Sequence, residues 1–133
     1  MANTVNKKII VDGPRNVVLS VYLKSDGASG DLNGEVLLAP ADVGLNSDAR
    51  FRISYLMYNF AGFAGVLEFD TGLITPDFKW VLPEGVGHPL DFGCFSNLID
   101  TSGLDGTGEL LLSTNGFTQT TDQGSILLLI IKP

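Results

Sequence analysis

Residues 108–132, GELLLSTNGFTQTTDQGSILLLIIK, decide the fold class of this chain. The first run puts Leu110 and Leu112 on one side of an extended strand and Glu109, Leu111 and Ser113 on the other. Asn115-Gly116 is a turn pair, and the chain returns through Ile126, Leu127, Leu128, Leu129, Ile130 and Ile131. The two runs read as a β-hairpin. The returning run has no polar face, so alternation cannot orient it. It requires burial on both sides or a cover over one of them. Six apolar residues are too few to cross a bilayer and suit an interior strand of a sandwich or barrel.

Outward from that segment, the rest of the chain repeats the same kind of unit. Residues 17–24 alternate cleanly, with Val17, Leu19, Val21 and Leu23 facing one way and Ser20, Tyr22 and Lys24 the other. Residues 50–60, RFRISYLMYNF, place Phe51, Ile53, Tyr55 and Met57 on one face. The opposite face begins polar at Arg50, Arg52 and Ser54 and turns apolar at Leu56, Tyr58 and Phe60. Shorter strands are predicted over 7–12, 35–38, 66–70, 78–82 and 91–95. Between them lie turns of explicit chemistry, such as Asp12-Gly13-Pro14-Arg15-Asn16, and a loop-rich stretch over 83–107. Sixteen glycines fall between the apolar runs, as the turns of an all-β fold require. No helix and no internal repeat is legible. The reading is a single all-β domain over 7–133, a β-sandwich or jelly-roll-like barrel, preceded by a polar, flexible arm over 1–6.

Composition narrows the function classes. At 133 residues the chain can bury about two-thirds of its unfolded surface. With 44% hydrophobic and 17% charged residues it is an ordered globular chain. A net charge of −7 opposes nucleic-acid binding, since no cluster of bases stands out along the sequence. Cys94 is the single cysteine, which excludes an intrachain disulfide, and one histidine, His88, makes a His/Cys zinc site a poor fit. The N-terminal residues carry no apolar signal core, so synthesis in a reducing cytoplasm is expected, with no membrane partner.

Candidate chemistry is thin. His88 lies in a loop between Gly87 and Pro89, six residues from Cys94, with no orienting third group, and Cys94 reads as a small buried apolar residue. Residues 103–108, GLDGTG, resemble a phosphate loop but no lysine follows. The acidic loop around Asp31, Asn33 and Glu35 lacks the ligand order of a calcium loop. Glu68 and Asp70 share a strand face as a solvated edge would. The chain is not read as an enzyme, and no cofactor or metal is expected.

The surfaces are more informative. Tyr55, Tyr58, Phe60, Phe63, Trp80, Phe92 and Phe95 exceed what a small core needs. Phe63, isolated in a glycine-alanine link, is either a core plug or an anchor for a neighbouring subunit. Arg15 either decorates its turn or pins it to a carboxylate. The polar arm, with Asn3 and Val5, leads into a strand that a partner could extend by pairing. Asn3, Val5, Arg15, Phe60, Phe63 and Trp80 are thus the candidate inter-subunit or docking contacts.

The motifs DGPRNVV (12–18), FRISY (51–55), LEFD (67–70), the glycine-rich 93–98 loop and TGELLLST (107–114), closed by an apolar terminal strand, form one pattern. It resembles small virion structural proteins of tailed phages, of the kind that decorate or cement the head. The resemblance implies a compact β-fold that forms a homotrimer or sits where capsomers meet. It also implies the major capsid protein as partner and a place on the capsid surface, where the shell is stabilised against internal pressure. This chain departs from that pattern in offering no positively charged docking face. Alternatives are a tail or fibre component, and a carbohydrate-binding sandwich in which Trp80 and the tyrosines form a sugar platform. A small hydrolase using His88 is a third.

Overall fold

Alternation in the sequence becomes two antiparallel sheets in the computed structural model, which describes residues 3–46, 49–70, 77–86, 89–92, 98–99 and 106–133. The strands are β1 (Thr4–Asp12), β2 (Asn16–Lys24), β3 (Glu35–Leu38), β4 (Arg52–Ala61), β5 (Ala64–Phe69), β6 (Asp77–Leu82), β7 (Gly85–Val86), β8 (Leu90–Asp91), β9 (Leu98–Ile99), β10 (Leu110–Asn115) and β11 (Gln123–Ile131). A 3-10 turn follows β3 at Pro40–Val43. The large sheet runs β1-β2-β11-β4, and β7, β8 and β9 pair in succession along β4. The small sheet runs β3-β10-β5-β6. Pairing is nested: β2 with β11, β3 with β10, β4 with β7 to β9, and β5 with β6. A long antiparallel ribbon folded over on itself has this pattern, which is that of a jelly-roll sandwich.

The core lies between the sheets. Val17, Leu19, Val21 and Leu23 of β2 and Ile126, Leu128 and Ile130 of β11 face Leu67 and Phe69 of β5 and Leu110 and Leu112 of β10, all buried. Each contributes on the order of 1.5–3 kcal/mol of transfer free energy. The face expected on β4 is broken. Phe51 and Ile53 are buried as read, but the inner positions then become Leu56, Tyr58 and Phe60, while Tyr55 and Met57 turn outward. The cause is a bulge at Ser54: Leu129 pairs with Tyr55 and Ile130 with Ile53, so one residue of β4 has no opposite number. A single inserted residue reverses which side chains point inward.

Residues 108–132 do not form a hairpin. β10 pairs with β3 and β5 in the small sheet, whereas β11 lies between β2 and β4 in the large one. Residues 116–122 carry the chain across the end of the sandwich, held by bonds that a two-residue turn could not make. Phe117 is buried and its N–H donates to Asp31 Oδ1 at 2.7 Å. The N–H groups of Thr118 and Gln119 donate to Asp122 Oδ2 at 3.0 and 2.9 Å. The Ser25 N–H donates to the Asp122 carbonyl at 3.0 Å.

The arm expected over 1–6 is not separate from the domain where it is described. Thr4, Val5 and Asn6 belong to β1 and pair with Lys24, Leu23 and Tyr22. Asn3 donates through Nδ2 to the Gly30 carbonyl and accepts from the Asp26 N–H. Pairing overrides polarity here, because an edge strand needs only one side covered.

Candidate docking surface

The outer face of the large sheet follows directly from the register. One row across it is Val11, Val18, Leu129 and Tyr55, and the next is Lys8, Ser20, Leu127 and Met57. Beyond them come Tyr22, Ser125 and Asn59 on one side and Asn16, Ile131 and Arg52 on the other. Val11 is 47% exposed, Tyr22 42% and Met57 40%, while Val18, Tyr55, Leu127, Leu129 and Ile131 are half-buried. The apolar second side of β11 therefore stays open to solvent, at the centre of a sheet face. Neighbouring side chains shield it in part, and among the described residues none packs over it. Such a continuous apolar patch on a charged protein marks a contact surface.

Charge is distributed unevenly between the two outer faces. Lys8, Lys24 and Arg52 stand on outward positions of the large sheet, and β1, β2, β4 and β11 turn no carboxylate outward there. Asp91 on β8 borders the patch beside Tyr55. The side chains described on the outer face of the small sheet carry the opposite sign, with Arg50 at their margin, where its Nη2 donates to the Gly106 carbonyl at 2.8 Å. Glu68 stands outward on β5 and accepts from Ser113 Oγ at 2.6 Å. At one end of that sheet Thr107 Oγ1 lies 2.8 Å from Asp70 Oδ2 and 3.1 Å from Glu109 Oε1. Val66, half-buried, and Val81, 47% exposed, make its apolar centre, while Leu111 beside them is buried. The fold thus assembles a basic face that the linear sequence did not display.

A depression opens at the mouth of the sandwich between β1 and β3, with a volume of about 570 Å³. Ile9, Leu19, Val36, Leu37 and Leu38 line it. Lys7 spans it, donating through Nζ to the Val36 carbonyl at 2.6 Å and pairing with Glu35 Oε1 at 3.5 Å. This lysine, its neighbour Lys8 and the bulge between Ile9 and Val11 are devices that discourage strand addition along β1.

The expected contact residues fall into three groups. Phe60 and Phe63 are core: their rings stack at 4.5 Å, and Phe63 meets Phe117 edge-on at 4.6 Å. Both are buried, so the reading of Phe63 as an inter-subunit anchor gives way to the core plug. Gly124 is glycine because a Cβ there would press on the Phe60 ring and the Asn59 carbonyl. Trp80 is half-buried, its ring edge-on to Phe92 at 5.1 Å, and Val5 packs partly against the core. Arg15 is exposed in the β1–β2 turn, where its carbonyl accepts from the Lys132 N–H at 2.7 Å. Asn3 and Arg15 flank opposite ends of β1. Nine residues at about 3.3 Å each separate them by about 30 Å, so one small patch cannot use both.

The candidate chemical groups resolve differently. His88, Cys94 and Phe95 lie outside the described residues, as do 103–105 of the 103–108 stretch. Asp31, the calcium candidate, holds the β10–β11 crossing by accepting from Phe117 N and Thr114 Oγ1. Asp26 closes its own loop: a hydrogen bond from the Ser29 hydroxyl, then those from the Ser29 and Ala28 N–H groups, bring its carboxyl down to about 2. Burial raises the Tyr58 phenol above its ordinary value. Among the described residues no three His, Cys, Asp or Glu side chains converge as a metal site, and no helix is long and apolar enough to cross a membrane. Set against family models, curated proteins and solved structures, the chain matches none.

Sequence reading missed the outward residues of β2, β4 and β11 as a site. The signal was present in β11, whose doubly apolar run implied a cover. Locating the open side required knowing that Ile126, Leu128 and Ile130 face the core.

Proposed function

We propose that this protein is a phage virion structural protein, a head decoration protein that binds the major capsid protein and stabilises the shell. It acts by docking, as a homo-oligomer with the trimer as the expected form, on the capsid surface after synthesis in the host cytoplasm. The observation that carries this reading is the uncovered apolar face of the large sheet on a jelly-roll sandwich. Aliphatic area of this kind contributes free energy only when a partner removes it from water. Arg15, in a turn tied to the C-terminal strand, is the candidate for a charge-assisted contact to a capsid carboxylate.

The test is occupancy on purified shells that lack the protein. Wild type should saturate them and raise their resistance to heat or pressure. Arg15→Ala, off the open face, should fold normally and lower occupancy by removing a capsid contact. Leu127→Glu, on that face, should fold normally and lower it by at least about tenfold through lost assembly. If wild type fails to bind, the reading is overturned.

A shallow polar dent favours a second reading. Tyr22, Asn59, Gln123 and Ser125 surround a depression of about 180 Å³ on the same sheet, a size and chemistry suited to one sugar ring. Retention on immobilised glycans, abolished by Tyr22→Ala, would make this a glycan-binding fibre or tail component instead.

A further inference from the structure

The two outer faces of the sandwich have matching apolar centres and opposite charge. On the large sheet Leu127, Leu129, Val18 and Met57 are bordered by Lys8, Lys24 and Arg52. On the small sheet the exposed Val81 and the half-buried Val66 are bordered by Glu68, Asp70 and Glu109. From this pairing we infer that the occupant of the large-sheet face is a second copy of this chain, docked through the outer face of its small sheet. The inference rests on the reading of the large-sheet face as an assembly surface and names what covers it.

Two physical arguments select this occupant. A two-fold pairing of large sheet on large sheet would bring Lys8, Lys24 and Arg52 of both copies into one interface, where the acids described along the border are Asp91 beside Tyr55 and Glu84 at Gly62. Like charges juxtaposed at an interface cost several kcal/mol, so that arrangement is disfavoured. Large sheet on small sheet instead brings three bases toward three acids and buries aliphatic surface on both sides. The chain's net charge of −7 adds a condition: copies repel each other at long range, and only the basic face relieves this locally. A contact between two different patches necessarily repeats. It closes into a ring such as a trimer if successive copies turn by the right fraction of a circle, and otherwise it continues as a row.

The experiment is a charge exchange read by sedimentation over a dilution series, with the isolated full-length chain and no shells present. One variant carries Lys8→Glu, Lys24→Glu and Arg52→Glu, and the other carries Glu68→Lys, Asp70→Lys and Glu109→Lys. Wild type should sediment above the monomer mass, and each variant alone should fall to the monomer. An equimolar mixture should recover the larger species, because each variant then offers the face that the other lost. Val81→Arg, a single change at an exposed position, serves if the acidic-face variant does not fold, and should also yield a monomer. Raising salt should weaken the wild-type assembly, since the flanking charges are exposed and screened over about 8–10 Å. Wild type that stays monomeric at all concentrations overturns the inference, as does an assembly that survives either change, or a mixture of folded variants that does not recover. Shell occupancy is measured separately, so failure here leaves the decoration role standing, and failure there leaves self-association standing.

Discussion

At the scale of single residues, this sandwich is tied at its ends by carboxylates that accept backbone hydrogen bonds. Asp31 and Asp122 hold the crossing between β10 and β11, and Asp26 holds the loop after β2. Because Asp26 is lowered in the folded state, its contribution to stability is fully present above the ordinary value of 3.8 and is lost as pH falls through about 2. A carboxyl-carbon NMR titration should place its midpoint near 2, and Ser29→Ala should move it toward the ordinary value by removing the largest cause. Gly62 is a second sensitive position. Its φ of +91° lies where L side chains are strained, and a Cβ would collide with the Asp122 carboxylate. Gly62→Ala should therefore cost about 2–3 kcal/mol in chemical denaturation, well above a surface substitution. An unchanged denaturation midpoint would mean that the corner between β4 and β5 relaxes freely.

At the scale of elements, β11 has two apolar sides of unequal standing. Leu128 is fully buried, whereas Leu127 faces out. Leu128→Asp places a charge in the core and should cost about 4 kcal/mol or more, enough to unfold a marginal domain. Leu127→Asp should cost under about 1 kcal/mol when measured at dilutions that keep the chain monomeric. Equal effects at the two positions would contradict the register. The bulge at Ser54 carries a similar lesson for β4. Period-two reading grouped Tyr55 and Met57 with Phe51 and Ile53, and one extra residue moved them to the outer face. No side-chain pattern marks that residue, because a bulge is set by pairing with β11 and not by the strand's own composition.

At the scale of the molecule, β11 is the strand that most others depend on. It joins β2 to β4 at the centre of the large sheet, over its full nine residues. Deleting residues 123–133 would leave two half-sheets with unpaired edges and an opened core. The truncated chain should lose cooperative unfolding altogether and bind hydrophobic dyes, checked by near-ultraviolet circular dichroism and dye fluorescence. A sharp transition in the truncated chain would show that the small sheet and β1–β2 stand without it.

The sequence by itself determined the class of this protein. Short alternating runs separated by glycine-rich turns can only be strands, and residues 17–24 state their buried side outright. It also determined that 126–131 would be an interior strand, since a segment without a polar side cannot lie at an edge. Three things were decided only in three dimensions. The separation of β10 and β11 into different sheets depends on their partners, which are distant in sequence. The burial of Phe60 and Phe63 depends on how the link at Gly62 turns the chain into the small sheet, packing one ring on the other. The basic, apolar outer face depends on strand order: Lys8, Lys24 and Arg52 sit on three different strands, and only pairing through β11 brings them to one surface. Local propensity acts over a few residues, while these features arise from contacts whose cost is loop closure over tens of residues.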